Sequence, residues 1–181
     1  IRALAEKGAD VNTPDKNGIP PVWVAAHEGH ADTIRVLKEL GADVNTPNQD
    51  GCTPVVVAAH QGHADTIRVL KELGADVNTP DNNGCTPVVV AAQNGHTDAI
   101  RVLKELGVDL DVKNNTECTA LHMAAQEGHP ETVEALIELG ANLESKANNG
   151  ETSLHKAAFN DHPETINALF KLGANLESKE I

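Results

Sequence analysis

Residues 53–78 read TPVVVAAHQGHADTIRVLKELGADVN, and the three valines near its start, Val55, Val56 and Val57, carry a local preference for β-strand. The next residues favour helix instead. Ala58 and Ala59 come first, then a run in which Ile67, Leu70 and Leu73 are spaced for one buried face while Arg68, Lys71 and Glu72 are left for water. The residues before the valines resolve the conflict. Thr53 can cap a helix with its hydroxyl, and Pro54 then stands in the first turn, where a missing N–H costs nothing because those donors are unpaired anyway. The valines therefore open a helix, each giving up roughly a few tenths of a kcal/mol against Ala, a loss that packing against neighbours outweighs. Gly62 breaks this helix, the second one succeeds it, and Gly74 serves as its left-handed C-cap.

The same words return along the chain. TPVVVAA recurs at residues 86–92, which places Val55 and Val88 33 residues apart, and Gly8, Gly41, Gly74, Gly107, Gly140 and Gly173 repeat at the same interval. Between copies, ADVNTPDNNG supplies an extended stretch and a tight turn. In the last two copies Pro130 and Pro163 stand in the first turn of the second helix, where proline fits. A period of 33 with TP, AA, GH and LGADVN in fixed order resembles the ankyrin repeat, a unit of about 33 residues with the pattern T-P-L-H-x-A. The resemblance covers essentially the whole chain. It divides the sequence into a partial repeat at 1–14 and units at 15–47, 48–80, 81–113, 114–146 and 147–181, with Glu180 and Ile181 left over at the end of the last. The fold expected is an all-α solenoid of stacked helix-turn-helix units joined by β-turn loops, because no unit can bury both of its faces alone. The chain opens at Ile1 in mid-pattern, so an excerpt of a longer protein is expected.

Two sub-families of unit are visible. Those at 15–47, 48–80 and 81–113 share DTIRVLKELG or its near copy DAIRVLKELG, whereas the last two carry HPETVEALIELGANLESK and HPETINALFKLGANLESK. At the join, GVDLDVKNNTECTA (107–120) replaces the turn glycine by Glu117 and the usual proline by Ala120. A positive φ at Glu117 would store about 1 kcal/mol of strain and make this interface the expected weak one.

Composition narrows the function. With 27 Asp and Glu against 14 Lys and Arg, the formal charge is −13, which repels phosphate backbones and anionic lipid. No apolar run approaches the roughly 20 residues of a membrane span. Neither nucleic acid nor membrane is therefore expected as a partner. The aromatic residues are Trp23, Phe159 and Phe170 alone, so the core must be small and aliphatic. Cys52, Cys85 and Cys118 recur one unit apart; stacked helices about 8–10 Å apart hold such residues beyond the roughly 7 Å Cα limit of a disulfide. Reduced thiols and the lack of a leader favour an intracellular, cytoplasmic setting.

Chemistry finds little support. His27 with His30, and His60 with His63, stand at i,i+3, but His30, His63, His96, His129 and His162 all occupy the GH corner, where a ring is expected to bond turn backbone. A zinc site wants three or four convergent ligands, so no metal and no cofactor is expected. Cys118 and His122 could be drawn as a thiol–imidazole pair beside Glu117, yet CTALH is the capping Thr119 followed by a first helical turn, and no catalysis is expected there. Glu131, Glu134 and Glu138 read as a solvated face. Asn45 and Asn78, in ADVN with Leu37 and Leu70 eight residues upstream, are similar to ankyrin asparagines oxidised by asparaginyl hydroxylases, as is Asn12 with Leu4; the same asparagines also suit the turn through side-chain to backbone bonds.

Positions where the units disagree are the candidates for recognition. At the turn tips these are Lys16, Asn17 and Ile19, then Gln49, Asp50 and Cys52, then Asn82, Asn83 and Cys85. After Ala-Ala they are His27 and Glu28, His60 and Gln61, Gln93 and Asn94, and Gln126 and Glu127. The resemblance implies that such residues line a concave groove where a protein partner docks. Val24, Val57, Val90 and Met123 could floor it or pack between units. The histidine of T-P-L-H stands as His122 and His155 but is replaced by Trp23, Val56 and Val89 in the first three units, so a polar link between turns is expected to be lost there. Trp23 suits a binding hot spot and, equally, a cover for the open edge of the stack. The expected function is a non-catalytic, monomeric array that binds another protein. The alternatives are the targeting arm of a larger enzyme or effector, and near-identical units left by duplication or consensus design.

Overall fold

The computed structural model of the chain describes residues 10–174. Most of the expected partial repeat at 1–14, including Leu4 and Gly8, lies outside the described residues, as does the last unit from 175 onward. Ten helices occur among the described residues, in five pairs, with no strand: α1 (Pro21–His27) and α2 (Ala31–Glu39), α3 (Pro54–His60) and α4 (Ala64–Glu72), α5 (Pro87–Gln93) and α6 (Thr97–Glu105), α7 (Ala120–Gln126) and α8 (Pro130–Glu138), α9 (Ser153–Phe159) and α10 (Pro163–Lys171). First helices pack against first helices of adjoining pairs and second against second, which makes a two-layered stack.

The valines at 55–57 are helical because of this layering. The α3 helix is flanked by α1 and α5 and backed by α4, so Val55, Val56 and Val57 are all buried. In the second layer Ile34, Ile67, Ile100, Leu70, Leu103 and Leu136 are wholly buried, each contributing about 1.5–3 kcal/mol by its removal from water. Lys71 and Glu72 stay exposed, while Arg68 is half-buried. Arg35, Arg68 and Arg101 reach one unit forward to Glu72, Glu105 and Glu138, at 2.8, 2.6 and 3.5 Å. Such exposed pairs contribute little energy individually. At the next step the signs are exchanged, Glu134 standing at the arginine position and Lys171 at the glutamate position.

Capping is less uniform than the sequence implies. Thr53 accepts from the Val56 N–H at 3.3 Å, and Thr119 and Thr152 form capping boxes with His122 and His155. The Thr86 hydroxyl is buried without a partner, and Pro20 takes the capping position of α1 with no side-chain bond. The corner histidines do bond backbone, but that of the preceding unit. His63, His96, His129 and His162 place Nε2 at 2.9–3.0 Å from the carbonyls of His27, His60, Gln93 and Gln126. Each ring also lies against the bare Cα of the preceding corner glycine; a Cβ on Gly62 would come within 2.7 Å of His96 Nδ1.

The link between turns expected to be lost in the first three units is kept in one of them. Trp23 Nε1 donates to the Cys52 carbonyl at 3.0 Å, the counterpart of the bond from His122 Nε2 to the Glu151 carbonyl at 3.1 Å. Both groups carry an N–H at a similar reach, so indole substitutes for imidazole, and only Val56 and Val89 forgo the bond. Further stitches join the tips: Asn82 donates from its backbone to Asp50 and from Nδ2 to Gln49, and Asn115 does the same to Asn83 and Asn82.

Glu117 has φ 60° where its counterpart Gly84 has φ 75°, so the left-handed turn is imposed on a residue with a Cβ. Replacing it removes that strain together with an exposed pair to Lys113. We expect Glu117→Gly to raise the unfolding free energy by about 0.5–1 kcal/mol in denaturant melts. An unchanged or lower value would show that the turn is not strained.

His122 is wholly buried, and its Nδ1 accepts from the Thr119 N–H at 3.2 Å, which leaves the proton on Nε2 for the Glu151 carbonyl. Burial holds its pKa below the ordinary histidine value. A depressed folded pKa contributes stability that is complete above the unfolded value of about 6.5 and is lost as pH falls through the folded value. His122→Val, which installs the residue of the two preceding units, should cost about 1 kcal/mol at neutral pH and flatten the acid-side fall in stability, read from thermal melts across mildly acidic pH. An acid-side slope unaltered by the substitution would remove His122 as its source.

Candidate functional site

The groove begins with the turn that opens each unit. In the second, the Asn48 N–H donates to the Cys52 carbonyl, and Asn48 Oδ1 accepts from the N–H groups of Asp50 and Cys52, both at 3.0 Å. Asp81 does the same for Asn83 and Cys85 at 2.9 Å, and Asn114 for Thr116 and Cys118 at 3.0 Å. A short side-chain acceptor at the first position thus fixes the tip beyond it. The tips of the second and third units stand beside the ends of α1, α3 and α5 and enclose with them a groove of about 370 Å³.

Val56, Val57 and Val90 lie at its floor, and Trp23, His27, His60, Gln61 and Gln93 line the helical side. Trp23 stacks on His27 with ring centroids 5.5 Å apart and 18° between planes. Gln61 Nε2 donates to His27 Nε2 at 2.9 Å, and His27 Nδ1 meets Glu28 Oε1 at 2.8 Å. The turn side is formed by Asn48, Asp50, Cys52, Asp81, Asn83 and Cys85. Trp23 turns toward the second unit, through its bond to Cys52, rather than over the first unit's outer edge.

Nine of the residues singled out in the sequence line this space: Trp23, His27, Asp50, Cys52, His60, Gln61, Asn83, Cys85 and Gln93. The others are placed elsewhere. Lys16, Asn17 and Ile19 belong to the first tip, where Asp15 holds the backbone of Asn17 and Ile19; Gln49 lies against Gly18, and Asn82 stitches two tips together. Asn94 bonds back to the Val90 carbonyl, Gln126 bonds Glu127, and Glu28 pairs with His27. Asn48 and Asp81 escaped notice in the sequence because they read as turn formers. The signal available was that the first turn position alternates between Asp and Asn over the first four units, and so varies in charge.

The two thiols of the groove are poor nucleophiles. Burial, with the Asp81 and Asp50 carboxylates next in weight, pushes the Cys52 thiol up to about 11, and burial likewise raises Cys85. Both stay protonated at neutral pH, and a protonated thiol is a poor nucleophile. Both ring nitrogens of His122 are engaged, so it cannot serve Cys118 as a base. Among the described residues no three of His, Cys, Asp and Glu converge as metal ligands. No helix among them is long and apolar enough to cross a membrane.

A larger, more open depression of about 580 Å³ lies along the second helices, lined by Asp65, Arg68, Asp98, Arg101 and Glu105. Within it Arg68 pairs with Glu105, and Arg101 reaches out to Glu138. Asn45, exposed on the loop after α2, clasps two units: Nδ2 donates to the Gly74 carbonyl at 3.4 Å and Oδ1 accepts from the Asp76 N–H at 2.9 Å. Asn78 is exposed in the equivalent loop, and its N–H donates to Asp76.

A family model described as ankyrin repeats (3 copies) matches residues 1–81, 40–114, 73–147 and 106–180 in overlapping registers. No curated protein matches the chain. The overlapping matches advance by about one helix pair at a time, in step with the stack, and this chain belongs to the ankyrin repeat family, whose members are generally protein–protein interaction modules.

Proposed function

We propose that the chain is a non-catalytic binding array that holds another protein in the groove formed by its first helices and turn tips. One observation carries the reading: Trp23, Asp50, His60, Gln61 and Gln93, which differ from unit to unit, converge on one apolar-floored space while the framework behind them repeats. A partly exposed tryptophan ringed by polar groups is the composition in which interface energy concentrates. Contacts drawn from three successive units let modest individual interactions add, and the packed second layer keeps them in a fixed arrangement before the partner arrives.

Site-specific photo-crosslinking tests this reading. A photoreactive residue at Gln61 is expected to trap a protein partner from cell extract, whereas one at Lys71 on the second layer should trap none. Equal capture at both positions, or capture confined to Lys71, would remove the groove as the docking surface.

A further inference from the structure

The groove carries a sign. Asp50 and Asp81 line it, and no lysine or arginine does. The Asp50 carboxylate makes no hydrogen bond, because only its backbone takes part in the turn, through Asn48 and Asn82. Asp81 commits one oxygen to the N–H groups of Asn83 and Cys85 and keeps its second oxygen. Between these charges and the helical wall lies the floor of Val57 and Val90, with Trp23 beside it. At about 370 Å³ the space is at the small end of ligand pockets, which span roughly 300–1,000 Å³, and suits one large side chain with the backbone that bears it.

Resting on the groove as the docking surface, we propose that this site selects an extended, basic protein segment, one whose aliphatic or aromatic side chain is buried against Trp23, Val57 and Val90 while flanking lysine or arginine residues meet Asp50 and Asp81. An arginine fork can take both oxygens of the exposed Asp50 carboxylate, and the second oxygen of Asp81 can accept a further charge-assisted bond. The formal charge of −13 draws a cationic segment in from a distance and turns an acidic one away. On the second helices of the first three units, by contrast, each arginine pairs with a glutamate one unit forward.

Substitutions already accepted by sister units make the test clean. Asn83 holds the position of Asp50 in the next unit, and Asn48 and Asn114 hold that of Asp81 while making the same turn bonds. Asp50→Asn with Asp81→Asn therefore removes two charges and preserves the tips. Trp23→His installs the residue of the last two units, which keeps a ring nitrogen near the turn. A random-peptide display library is selected on the full chain and, in parallel, on each variant. Enriched peptides pairing an apolar residue with flanking Lys or Arg are expected. Their affinity should fall about threefold to tenfold in the double aspartate variant and fall also with added salt. Because Trp23 is the only tryptophan, its fluorescence should change on binding to the parent chain.

Acidic or neutral peptides whose binding is lost in Trp23→His would overturn the basic-segment proposal and leave the groove reading standing. Peptides indifferent to all three substitutions would overturn both. A selection that enriches nothing would overturn the proposal, since the site would then not take a short segment at all.

Discussion

Burial in this protein is shared between neighbours rather than achieved within a unit. Ala26, Ala59, Ala92 and Ala125 are each wholly buried, whereas Ala158, the same position in the last described unit, is exposed. All five follow another alanine near the end of a first helix; what differs among the described residues is whether another helix pair lies against them. A single pair of about two turns each could not stand in water, because nucleating so short a helix is unfavourable without a packed partner. The stack supplies the missing partner again and again, and its stability is then a sum over interfaces.

Such an arrangement must fix the spacing between units, and the corner of each one does so. A histidine ring lies on the glycine of the unit before it and bonds that unit's last helical carbonyl, so sterics and polarity meet at one point. Only a residue without a Cβ fits beneath the ring and also tolerates the positive φ. Where no further ring is found among the described residues, at Asp161, the same backbone conformation is taken by a residue with a side chain. The arginine–glutamate pairs outside and the Asn45 clasp on the loops repeat at the same interval and reinforce the register, with modest energies of their own.

A rigid repeated frame frees certain positions to vary. The turn tips take their shape from the first-position Asp or Asn and from backbone bonds, so residues such as Asp50 and Asn83 are released from structural duty. At the ends of the first helices the corner bond uses a backbone carbonyl, which leaves the side-chain type free to differ. Variation at both places, brought to a common groove by the stack, is how one framework can carry a specific surface without altering its core.

The sequence alone determined the period, the helix pairs, their glycine ends and the all-α stack, because capping, proline placement and helical spacing are local properties written in each copy. The left-handed turn at Glu117 was legible from comparison with its sister glycines. Most of the groove residues were legible too, since variation between copies marks what the frame does not need. What only the tertiary structure decided were relations across a unit boundary: that Trp23 keeps a bond its valine counterparts lose, that Thr86 is left without a partner, and that Asn48 and Asp81 face the groove. These depend on how far each pair is rotated and shifted on the one before it. That geometry is set by side-chain packing across the whole interface, and no periodicity within a single copy encodes it.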